Sequence, residues 1–201
     1  MTSRETDSMR DLHSTELLIR IQIRGVIDAD TTRALLTEIG ISDKDVRDLV
    51  RDGALADDGG LLYVTEVGDQ RLTDDLAGQV AAGELPEVLA FADEFDELDL
   101  DMKSALTAWQ HAAQAHDEEA QMTAVQQWLD VDSRLHAAAS RAESTARLFG
   151  RCLARLAAAR ERVLDGDVDQ LSGPDDSSYH TVWFLLHEML LRSLRRQRSR
   201  G

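Results

Sequence analysis

The sequence predicts a mainly α chain in which three short helices and a small β-hairpin precede a helical bundle. Three observations carry this prediction. Phe91, Phe95, Leu98, Met102, Leu106 and Trp109 step by 4, 3, 4, 4 and 3 residues, which is one face of a long helix. Upstream, short apolar segments are each opened by Asp or Ser and closed by Gly40 or Gly53. Next come two β-like runs, 54–56 and 61–64, split by Asp57-Asp58-Gly59-Gly60, the punctuation of a hairpin.

In chain order, residues 1–13 are polar and are expected to be disordered. After Ser14 an apolar helix runs over 16–27, with Arg20 and Arg24 on one side. Asp28 or Asp30 caps a second helix over 31–38, closed by Gly40, and Ser42 caps a third over 43–52, closed by Gly53. Three short helices followed by a hairpin is the order of a winged helix-turn-helix, expected over 14–82. A further helix runs from Thr65 to about residue 80. The second half, 83–194, reads as a bundle with helices near 87–115, 118–140 and 147–164 and a closing helix that Ser177 or Ser178 can cap. Arg192, Arg195, Arg196, Arg198 and Arg200 gather at the end, with 195–201 as a basic tail, read as a favourable charge at a helix C-terminus in preference to a clamp for nucleic acid or an acidic partner.

The first half resembles the MarR-like winged-helix proteins over roughly residues 14–80. The resemblance is carried by residues 29–36, Gly40-Ile41-Ser42, Val46, Leu49-Val50, Gly53-Ala54-Leu55 and Thr65-Glu66-Val67-Gly68, where the family opens a helix with Thr-x-x-Gly. It implies that 43–52 is the recognition helix, with Lys44, Arg47 and Arg51 as the DNA-binding residues. The same helix carries Asp43, Asp45, Asp48 and Asp52, and the wing tip reads Asp57-Asp58-Gly59-Gly60 where a minor-groove reader places arginine. Both elements would meet phosphates with net negative charge.

Composition points the same way. The 201 residues carry a net charge of −16, so counterion release by Lys and Arg offers little general affinity for nucleic acid. One cysteine, Cys152, excludes a disulfide framework within the chain and fits a reducing cytoplasm. No apolar run is long enough to cross a bilayer, and the N-terminus lacks a signal-peptide pattern; a cytoplasmic protein is expected. Asp93, Glu94, Asp96, Glu97, Asp99 and Asp101 read as the solvated or partner-facing side of the long helix.

The stretch richest in chemistry lies near the end. Tyr179, His180, Trp183, Phe184, His187 and Glu188 bring three aromatics and two of the six histidines close together. On a helix, His180, Trp183, Phe184, His187 and Leu191 share one face, either a polar core seam or the wall of a site. Seven helical residues rise roughly 10 Å, so His180 and His187 do not share one small ion, and no His-Glu-x-x-His pair exists. No metal and no cofactor is expected. Phosphate loop and nucleophile elbow are both lacking, so the catalytic residues are none and self-sufficient catalysis is not expected.

Thr107-Ala108-Trp109-Gln110 and the closing Ser178-Tyr179-His180-Thr181-Val182-Trp183-Phe184-x-x-His187-Glu188 resemble a C-terminal helical region of actinobacterial proteins. Those proteins are often fused to, or encoded beside, pyruvate, phosphate dikinase-like and other phosphoenolpyruvate-utilising enzymes. There too it follows a MarR-like winged helix. Departures fall in the middle, where Phe91 to Leu98 lacks the relatives' Pro and Asn and Ala108 replaces a common Asp. The resemblance implies a non-catalytic accessory or regulatory subunit of such a phosphotransferase. Trp109, Tyr179, His180, Trp183, His187 and Glu188 would then form a substrate pocket or partner interface. The alternative is a MarR-type, ligand-responsive DNA-binding regulator whose helical half dimerises. A protein partner or homodimer and a small-molecule ligand are the corresponding partners; DNA is disfavoured by charge, and no membrane is expected.

Overall fold

The computed structural model describes residues 3–173 and 175–196, with side chains described from Leu12 onward and not at Asp169. Among these residues the protein is mainly helical, with one two-stranded antiparallel sheet after the third helix. It divides into two compact units: one holds the chain through Gln79 together with the chain from Leu191, the other Val80–Leu190. No helix among the described residues is long and apolar enough to cross a membrane.

The first unit opens with α1 (Ser3–Arg24), which begins well before the Ser14 start expected from the apolar pattern. The disorder expected for 1–13 is thus replaced by helix from Ser3. Once the apolar segment is helical, each added residue gains one hydrogen bond for one fixed residue, so extension needs no apolar face of its own. Leu17, Leu18, Ile19 and Ile21 are buried, and Arg20 is buried beside them, its guanidinium 2.7 Å from Glu38. Helix α2 (Ala29–Ile39) is capped by Asp28, whose Oδ1 accepts from the Thr31 amide at 2.8 Å. Helix α3 (Asp43–Arg51) starts on a full capping box between Ser42 and Asp45.

Strands β1 (Leu55–Asp58) and β2 (Leu61–Val64) pair antiparallel, with Ala56 opposite Tyr63 and Asp58 opposite Leu61. Only Gly59 and Gly60 remain between them, with φ of 63° and 91°; a two-residue turn that matches strand twist needs both angles positive. The sequence placed Asp57 and Asp58 in the turn, whereas both belong to β1. Ile27 adds a bridge on the other side of β2, exchanging both backbone hydrogen bonds with Leu62.

Helix α4 (Glu66–Gly78) explains the Thr-x-x-Gly spacing. Thr65 Oγ1 accepts from the Gly68 amide and donates to the Gly53 carbonyl, holding the helix start against the strand entry. There a Cβ on Gly68 would lie 2.0 Å from the Ala54 carbonyl oxygen, which is backbone and cannot swing away. Gly68→Ala is therefore expected to destabilise the first unit by about 1–3 kcal/mol despite alanine's better helix propensity. Urea unfolding checks this, and a neutral or stabilising result refutes the close approach. Arg192 Nη2 reaches Asp69 at 2.7 Å and Arg195 reaches Asp74 at 2.8 Å, so these bases sit on α4 carboxylates; residues 197–201 of the expected basic tail lie outside the described residues.

The second unit holds α5 (Leu85–Ala115), α6 (Glu118–Ala139), α7 (Glu143–Leu164), the short α8 (Asp169–Ser172) and most of α9 (Tyr179–Ser193). Pro86 stands in the first turn of α5, where its missing N–H costs nothing. Of the α5 stripe, Phe91, Phe95, Leu98, Met102 and Leu106 are buried, while Trp109 is half-buried at the end of the row. Trp128, Val131 and Leu135 of α6 and Phe149, Cys152 and Leu156 of α7 complete the core. Helix α7 begins at Glu143, before the expected start near 147, and α8 lies between it and the closing helix.

Candidate functional site

The aromatic seam of α9 is built in two matching rungs. Arg155 and Arg162 of α7 donate to the Asp176 and Ser177 carbonyls, fixing the approach to the helix, and Ser178 Oγ accepts from the Thr181 amide as its cap. Tyr179 and Trp183 then project from successive turns into the core, Tyr179 fully buried and Trp183 3% exposed. Tyr179 meets the Trp128 ring edge-on at 5.0 Å between centroids, and its hydroxyl donates to Asp132 at 2.8 Å. Trp183 stacks on Phe95 at 4.7 Å, and its indole N–H donates to Asp99 at 2.9 Å. In both rungs a receiving helix supplies an aromatic and, four residues later on the same face, the carboxylate that takes the polar tip.

Neither carboxylate is left uncompensated. Arg160 Nη1 lies 3.0 Å from Asp132, and His136 Nε2 lies 3.5 Å away, at the limit of hydrogen-bond range. Lys103 Nζ sits 2.6 Å from Asp99, with His187 Nδ1 at 3.9 Å. Burial alone would raise the affinity of both carboxyls for a proton. For Asp132 the bonds from His136, Tyr179 and Arg160 outweigh it, and for Asp99 those from Lys103 and Trp183 with the charge of His187, so both groups are held below the ordinary carboxylate value. Burial and the Asp132 charge push the Tyr179 hydroxyl well above its usual value, keeping it a donor.

A depressed folded-state pKa means that the unfolded chain binds more protons in acid. The stabilisation from Asp99 and Asp132 is whole above the ordinary value of 3.8 and is lost as pH falls through their lower folded values. Unfolding free energy should therefore fall as pH drops below about 4, and fall less in an Asp99→Asn/Asp132→Asn double variant. An equal acid slope in both proteins would refute the assignment.

The arrangement corrects the expected face. His180 is exposed and does not share the seam with Trp183; Tyr179, Val182, Trp183, Leu185, Leu186, Leu190 and Ser193 are the buried positions of α9. His187 and Glu188 are half-buried, His187 packing 5.4 Å from the Phe95 ring, and Trp109 stands apart from the seam along α5. Asp99, read as part of the solvated acidic side, instead faces the core. Asp132 and Arg160 were not singled out at all, although Asp132 sits four residues after Trp128 in a core position and could have been found from that spacing. The seam's polar tips are consumed internally, so its chemistry is that of a fastening between helices.

Two surface features lie outside the seam. An open groove of about 650 Å³ between α5 and α6 is lined by Asp101, Ser104, Thr123, Gln126, Gln127, Asp130, Val131 and Arg134, none of them a predicted site residue. In the first unit, Lys44 pairs with Asp48 at 2.7 Å and Arg51 pairs with both Asp48 and Asp52, while Arg47 is exposed without an ion pair among the described residues. Among the described residues no group of three or more His, Cys, Asp or Glu side chains is placed to hold a metal ion. Compared with known proteins, the chain matches no family model, no curated protein and no solved structure.

Proposed function

We propose that the chain is a non-catalytic winged-helix accessory or regulatory subunit of a phosphoenolpyruvate-utilising, pyruvate, phosphate dikinase-like phosphotransferase. The observation that supports a protein-docking role is the charge of the first unit where a DNA reader would touch phosphate. Two of the three bases of α3 are held by carboxylates of the same segment, and residues 52–70 contain five carboxylates and no Lys, Arg or His. Phosphate contacts made by such a surface release few counterions. The identity of the partner follows from the resemblance of the closing motif. Tyr179 and Trp183 would stiffen the helix that presents His180, His187 and Glu188.

The competing reading, a MarR-type regulator, draws on the order of α1 to α4 with the hairpin, on the Ile27–Leu62 bridge, and on exposed Arg47. Affinity purification from native extract at low salt, with bound protein and bound DNA both identified, separates the two. A stoichiometric phosphoenolpyruvate-utilising enzyme supports the subunit. Enriched operator DNA without that enzyme overturns it in favour of the regulator.

A further inference from the structure

The hairpin that would be the wing carries an outward apolar face. Ile27 and Leu62 are buried bridge partners, so strand alternation turns their neighbours to the other side. Val26, Leu61 and Tyr63 are there 53%, 47% and 37% exposed. Ala56 lies opposite Tyr63 and Asp58 opposite Leu61, so the patch is apolar across the sheet and acidic toward the turn. Asp57, opposite Leu62 and therefore on the other face, caps the turn, its carboxylate accepting from the Gly60 amide at 2.8 Å.

From this juxtaposition we infer that the outer face of the hairpin, Val26, Leu61 and Tyr63 with Asp58 at its turn end, docks a partner-protein segment that presents apolar side chains flanked by Lys or Arg. The inference rests on the reading of the first unit as a protein-docking module. Charge complementarity selects the occupant. A second copy would bring the same acidic end and its share of a −16 net charge against this one. Nucleic acid would bring phosphate against the same carboxylate. Addition of a strand at the β1 edge is opposed by Asp57 and Asp58, charges of the kind that blunt exposed edges. An apolar face with a carboxylate at its turn end leaves docking from above as the fit.

The test uses the full chain and a defined probe, a synthetic amphipathic helix of leucine and lysine, followed by amide chemical shifts. Perturbations are expected to centre on Val26 and residues 55–64. Affinity is expected to fall at least tenfold in Leu61→Asn/Tyr63→Ser and several-fold in Asp58→Lys, which leaves the apolar face intact should the double variant fold poorly. Perturbations centred on the acidic side of α5, or unchanged in both variants, overturn the inference. So does stronger perturbation of the same amides by duplex DNA, or sedimentation showing self-association lost in the double variant. A second arm repeats the affinity purification with the double variant. Enzyme retained by the natural chain and lost by the folded variant supports the docking face; enzyme retained by both overturns the face while the subunit reading stands. Enzyme retained by neither overturns the subunit reading, and the peptide mapping then decides the face alone.

Discussion

Asp132→Asn is expected to lower the stability of the second unit by about 2–3 kcal/mol, although it changes one atom type. The carboxylate is fully buried and receives Tyr179 and Arg160 at 2.8 and 3.0 Å. An amide of the same shape can still accept from the Tyr179 hydroxyl. Its NH₂ would then face the Arg160 guanidinium donor to donor, and Arg160 would keep only Glu161, at 2.8 Å, as a counter-charge. Tyr179→Phe removes a single charge-assisted bond, at about 1.5–3 kcal/mol. Because the two residues share one network, the double variant should cost clearly less than the sum. Asp101→Asn, on a carboxylate that is half exposed beside Arg134, should stay within about 0.5 kcal/mol and serves as the surface control. Urea unfolding read by tryptophan fluorescence measures all four. A cost near that of the surface control at Asp132 would mean that the rung holds nothing.

Where local chemistry decides structure, the sequence could be read closely. The Ser42 capping box, the Asp28 cap, the Gly59-Gly60 turn and the α5 stripe each depend on residues a few positions apart, and each is in place. Features set by partners distant in sequence were not readable in the same way. Helix α9 is apolar nearly all round from Val182 to Leu186, so two faces containing Trp183 were open, one with His180 and one with Tyr179. The second wins because Trp128 and Asp132, about fifty positions away, receive Tyr179. Asp99 was assigned to water because it sits in a run of acids, yet it stands four residues after Phe95 and shares that residue's buried side. A charge pattern alone cannot distinguish a solvated carboxylate from one whose counter-charge and donor arrive from elsewhere. In the first unit both the bases for DNA reading and their acids are local: Lys44 and Arg51 pair with Asp48, and Arg51 with Asp52, at spacings a helix brings together, while Arg47 is left exposed.

Trp183 offers the sharpest separation between a fastening and a binding wall. Trp183→Ala is expected to cost about 3–5 kcal/mol, because it empties the space against Phe95 and leaves Asp99 without the indole donor. Trp183→Phe keeps a ring on Phe95 and removes only the N–H. Lys103 still holds Asp99 at 2.6 Å, so the loss should be about 1–2 kcal/mol. His180→Ala, on the exposed side of the same helix, should change stability by less than about 0.5 kcal/mol. Far-UV circular dichroism in urea is the readout, since the fluorescent group itself is removed. Partner retention is then compared under conditions where each variant is folded. For a fastening, folded Trp183→Phe retains the partner fully and any loss appears in His180→Ala, which touches solvent. If Trp183→Ala keeps its stability yet loses the partner, the ring is part of the binding surface, and the two-rung packing of α9 does not describe the molecule in solution.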